Sequence, residues 1–76
     1  MNKKYSLNFK MNNGELLSCE LTVEEKNQFE FDKLKQQILS NFQNKDGMFQ
    51  MKTGPGEEAI FSFKDVVYFK LIELKG

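Results

Sequence analysis

A chain of 76 residues is long enough for one compact domain and too short for two, since a domain of that size buries only about 60% of the surface its unfolded chain exposes. With 39% hydrophobic and 29% charged residues it is apolar enough to fold, and eleven lysines against eleven acids leave no net field to draw nucleic acid, an anionic membrane or an acidic substrate. Arginine and histidine are absent and Cys19 is the only cysteine, which excludes an internal disulfide framework, histidine-dependent nucleophile pairs and guanidinium forks for phosphate or guanine.

Near the start, Met-Asn-Lys-Lys-Tyr-Ser is followed by no apolar run of about seven residues, and no stretch approaches the roughly 18 apolar residues of a membrane helix. The expectation is a cytoplasmic chain with no membrane partner. From Tyr5, apolar residues alternate with polar ones at Tyr5, Leu7, Phe9 and Met11, and again at Leu17, Cys19, Leu21 and Val23. These are two half-buried strands of a hairpin. A three-residue loop at Asn12, Asn13 and Gly14 keeps both apolar sets on one face, setting Phe9 opposite Leu17, Leu7 opposite Cys19 and Tyr5 opposite Leu21. A two-residue Asn13-Gly14 turn would pair Phe9 with Ser18 and is rejected.

Residues 24–30 carry no apolar period, although Thr22 followed by Glu25 matches a capping box. The firm helix spans about Phe31 to Gln43, with Phe31, Leu34, Ile38 and Phe42 in one stripe and Leu39 widening it. Asn44-Lys45-Asp46-Gly47 ends it, Gly47 being free to take the left-handed cap conformation. Met48 to Lys52 reads as a strand, Thr53-Gly54-Pro55-Gly56 as a turn, and Glu58 to Phe63 as a fourth strand. After a tight link at Lys64-Asp65, a final strand runs from Val66 to Leu74, with Val67, Phe69 and Leu71 on one face and Val66, Tyr68, Ile72 and Leu74 on the other.

The order strand-strand-helix-strand-strand-strand gives a single α+β domain over 1–76: an antiparallel five-stranded sheet with one helix packed on one face. The second apolar face of the last strand has no core in such a fold. Either the sheet curls toward a barrel, or a partner covers Tyr68, Ile72 and Leu74, together with Phe29 from the polar stretch before the helix. These four residues form the candidate interaction surface.

No catalytic, metal or cofactor residue is assigned. Cys19 belongs to the inward set of a strand, with no histidine to activate it. Glu20, Glu24, Glu25, Glu30 and Asp32 crowd one part of the chain, but their spacing matches no metal loop and reads as a solvated edge. Lys52-Thr53-Gly54-Pro55-Gly56 falls short of a phosphate loop, because its lysine precedes the glycines and strands flank both ends.

The leading reading is a small non-enzymatic module that binds a protein, itself or a host protein. Two alternatives stand behind it. One is a weak single-stranded nucleic-acid binder using Lys3, Lys4, Lys10, Lys33, Lys35 and Lys45; the other is an enzyme built on a carboxylate pair that includes Glu20 or Asp32. Abundant asparagine and lysine without arginine, histidine or tryptophan fits an AT-rich bacterial or phage genome.

Overall fold

The two alternating segments fold as β1 (Lys3–Met11) and β2 (Leu16–Val23), an antiparallel hairpin in the computed structural model, which describes residues 2–74. Phe9 faces Leu17, Leu7 faces Cys19 and Tyr5 faces Leu21, the register the hydrophobic pattern demands. Its loop is closed by the Met11 N–H donating to the Glu15 carbonyl at 2.8 Å. Gly14, at φ +92°, supplies the left-handed residue that a side chain would strain.

The polar stretch that follows is helical. Glu25–Asn27 make one turn of 3-10 helix that runs straight into α1 (Gln28–Asn44), so the α-helix begins three residues before Phe31. The capping box does not form: Thr22 is still part of β2, opposite Lys4, and Glu24 takes the cap position, its carboxylate paired with Lys26 at 3.3 Å instead of capping a backbone N–H. Phe31 and Ile38 are buried, Leu34 and Phe42 pack partly, and Leu39 points to solvent, a narrower stripe than the sequence suggested. The left-handed cap falls on Lys45 (φ 52°), before Gly47, which has positive φ as well.

β3 (Met48–Gly54) and β4 (Glu57–Ser62) pair antiparallel, with Phe49 opposite Phe61 and Met51 opposite Ala59. A 3-10 turn over Phe63–Asp65, capped by the Ser62 hydroxyl accepting from the Lys64 N–H, leads into β5 (Val66–Leu74). β5 returns to β1 and pairs with it antiparallel from Lys4 to Met11.

The class is α+β, but the five strands do not form one sheet. β2-β1-β5 make a three-stranded antiparallel sheet, β3-β4 a separate two-stranded one, and neither closes into a barrel. The physical reason lies in the core. One helix contributes only the Phe31, Leu34, Ile38 and Phe42 stripe, too little to cover the inward faces of five strands. The β3–β4 hairpin instead joins α1 in the second layer and adds Phe49, Met51 and Phe61 to the core over β1. Phe9, with no exposed surface, packs its ring against Phe49, Phe61, Phe63 and Phe69 at centroid distances of 4.9–6.1 Å. Toward the other end of β1, Tyr5 stacks on Phe31 at 4.5 Å and shares a second cluster with Val23.

A bulge corrects the expected faces of β5. Lys10 lies opposite Tyr68 but Met11 lies opposite Val66, so Val67 is the extra residue. Val66 is therefore turned into the core at 2% exposure and Val67 out of it at 54%, the reverse of strict alternation. Among the described residues, no helix is long and apolar enough to cross a membrane.

Candidate interaction surface

The face of the three-stranded sheet that looks away from α1 is built in cross-strand rows. β1 contributes Lys4, Ser6, Asn8 and Lys10, flanked on one side by Thr22, Glu20, Ser18 and Leu16 of β2, and on the other by Leu74, Ile72, Lys70 and Tyr68 of β5. Along its middle the polar groups satisfy one another. The Ser18 hydroxyl donates to Asn8 Oδ1 at 2.6 Å, and Asn8 Nδ2 donates to Ser6 Oγ at 3.2 Å and to the Ser6 carbonyl at 3.3 Å. At one end Lys10 Nζ reaches the Gly14 carbonyl at 3.0 Å.

β5 offers no such network. Tyr68 is 40% exposed and Ile72 48%, with Leu74 half-buried beyond them, and the one polar residue in the column, Lys70, places its ammonium 5.6 Å from the Tyr68 ring centroid. Phe69 and Leu71, on the inner side of the same strand, pack on the core. Among the described residues no strand pairs with the outer edge of β5, so its backbone groups on that side have no ladder partner. The strand thus combines an apolar column with an open edge.

Of the four candidate residues, Tyr68, Ile72 and Leu74 come together and Phe29 does not. Phe29, 69% exposed, rides the first turn of α1 in the other layer, where the Lys33 ammonium lies 4.8 Å from its ring centroid. Beyond Leu39 and Val67, the exposed apolar residues outside the surface read from the sequence are Leu16, Met48 and Ile60 among the described residues. Leu16 lies opposite Lys10 at the far edge of the same face, while Met48 and Ile60 lie on the outer face of β3–β4. The alternation that buries Phe49 and Met51, and Phe61 beside Ala59, already turns Met48 and Ile60 outward.

The lysines of the nucleic-acid alternative divide between layers, Lys4 and Lys10 on the outward sheet face and Lys33 and Lys35 on α1, with Lys45 at its end. The carboxylates divide in the same way, Glu20 on β2 and Glu30 and Asp32 on α1, where Asp32 pairs with Lys35 at 3.4 Å. Among the described residues no three histidine, cysteine or acidic side chains are grouped to hold a metal ion. Cys19 is half-buried beside an apolar cleft of about 470 Å³ between β2 and β3, lined also by Leu7, Leu21, Leu34, Phe49 and Met51. Burial pushes its thiol pKa up, away from the reactive thiolate. The chain matches no protein-family model, no curated protein and no solved structure.

Proposed function

We propose that this chain is a small, non-enzymatic, cytoplasmic protein-binding module that docks through the outward face and open edge of β5. One observation supports the reading above others: Tyr68 and Ile72 stand exposed, with half-buried Leu74 beyond them, in a column on a strand whose outer edge is unpaired among the described residues. An unpaired edge offers a row of backbone donors and acceptors, and an apolar column beside it gains from being taken out of water, so the two together suit a protein surface or an added strand.

The test replaces the column while leaving the core alone. Tyr68→Asp and Ile72→Lys change half-exposed side chains, so both variants keep the circular dichroism of the parent and unfold within roughly 1 kcal/mol of it. Association is lost in both, read as concentration-dependent molar mass for self-pairing and as photo-crosslinks from position 72 for a foreign chain. Unfolding of both variants would assign these residues to the core and remove the reading. Crosslinks that form from Met48 or Ile60 in place of position 72 would move the docking surface to β3–β4.

A further inference from the structure

Val66 and Phe69 both face the core, although they stand three places apart and strict alternation would turn one of them out. The extra residue at Val67 reconciles them. Two adjacent valines do not decide where such a residue sits, so contacts from outside β5 must fix it. On one side Asp65 is tied to the hairpin loop, the Asn12 N–H donating to its carbonyl at 2.8 Å and Asn12 Nδ2 to its carboxylate at 3.3 Å. On the other side stands Lys45.

Lys45 takes the left-handed conformation that closes α1, at φ 52°, and among the described residues no other non-glycine residue has a positive φ. Glycine or asparagine usually fills such a place, so a lysine held there asks for a reason. The reason lies in its reach. Its ammonium donates to the Val66 carbonyl at 3.0 Å, 21 residues further along the chain, and lies 4.4 Å from the Phe42 ring centroid. Phe42 in turn packs edge-on against Phe69 at 5.3 Å. One side chain thus grips β5 directly before the extra residue, and through a ring after it.

We infer that Lys45 is a latch that holds the β5 bulge at Val67 and thereby keeps Tyr68 in the outward column; the consequence for docking rests on the reading above. A bulge that moves along a strand changes the face of each residue it passes. With Val66 kept opposite Met11, the first step along β5 would turn Tyr68 inward, opposite Phe9, in place of Phe69. Lys70 stops a second step, which would turn its ammonium inward opposite Leu7, a residue only 2% exposed. The latch therefore governs Tyr68 and leaves Ile72 and Leu74 where they are.

Amide hydrogen exchange, read residue by residue on the isolated chain, tests the latch. Lys45→Met keeps an apolar stem on Phe42 but loses the ammonium. It should speed exchange at Val67 and Tyr68 roughly tenfold or more, while Leu7 and Cys19 in the β1–β2 hairpin stay within about threefold of the parent. Lys45→Arg restores a cationic donor and returns Val67 and Tyr68 toward the parent rate. No acceleration in Lys45→Met, or the same acceleration in every strand, would overturn the latch, the second outcome marking an ordinary loss of stability. Exchange is measured with nothing docked, so its failure leaves the docking reading standing. Absent crosslinks from position 72 would remove that reading without touching the latch.

Discussion

β1 and β5 lie side by side, antiparallel, nine residues each, and bury the same kind of side chain inward. Leu7 and Phe9 of β1 pack beside Leu71 and Phe69 of β5. On the outward side they part. β1 turns out Ser6, Asn8 and Lys10, and these groups find partners close by, Ser6 and Asn8 in each other, Asn8 also in Ser18 of β2, and Lys10 in the hairpin loop. β5 turns out Tyr68, Ile72 and Leu74 with, among the described residues, a neighbouring strand on one side only. Alternation by itself does not make a finished strand. What occupies the second half of the alternation, and how many neighbours flank it, decides whether the outward face is complete.

The strongest way to break this comparison is at the inward side of β1. Phe9→Ala removes a ring with no exposed surface and four aromatic neighbours, and should cost about 3–5 kcal/mol in a urea denaturation series. A loss below about 1 kcal/mol would mean that the β3–β4 hairpin does not close over β1. The bulge gives a sharper test on β5. Val66→Ala should cost roughly 2 kcal/mol and Val67→Ala no more than about 0.5, since one side chain is buried and its neighbour is not. Equal costs would remove the bulge.

Smaller effects refine the hairpin that β5 joins. Gly14→Ala forces a side chain onto a backbone at φ +92° and should cost about 1 kcal/mol, visible as a lower thermal midpoint; no change would mean that the three-residue loop is not what fixes the register. The smallest effect is at Cys19. Its folded thiol pKa lies above the unfolded value, so folding favours the neutral form; the associated stability is present below the unfolded pKa of about 8.5 and is lost as pH rises through the folded value. Between neutral and alkaline pH the parent should lose slightly more stability than Cys19→Ala, and its thiol should react with a disulfide reagent more slowly than free cysteine. Equal pH profiles and free-cysteine reactivity would place the side chain in open solvent.

The β1–β2 hairpin was legible because its evidence is local. Period-two alternation and a glycine at the loop leave one register that keeps Leu7, Phe9, Leu17 and Cys19 on a common face. The start of α1 was less legible, since Gln28, Phe29 and Glu30 carry no stripe of their own and are helical because they continue the turns that hold Phe31 on Tyr5. The division into two sheets was hidden for a different reason. Which edge a strand pairs with is a contest between distant segments, and β3–β4 left the sheet because Phe9 needed a cover that α1 alone could not supply. The Val66–Val67 bulge was invisible in principle, as two adjacent valines give no sign of which one turns inward. For the surface, Tyr68, Ile72 and Leu74 followed from parity beyond the bulge, whereas Phe29 shared only their hydrophobicity.

The pairing of β1 with β5 also bears on how the fold is reached. Its partners are far apart in the chain, Met11 with Val66 at the near end and Lys4 with Leu74 at the far one. During synthesis, the strand at the middle of the larger sheet emerges early and waits for the last strand to complete it. The hairpin and the helix can form meanwhile, but the free edge of β1 and the inward ring of Phe9 have no full complement until Val66 to Leu74 are available. Closing so long a loop before its contacts are gained slows the folding step. A nascent chain halted before β5 should hence remain sensitive to protease throughout β1, and protection should arrive in one step when the final strand is released.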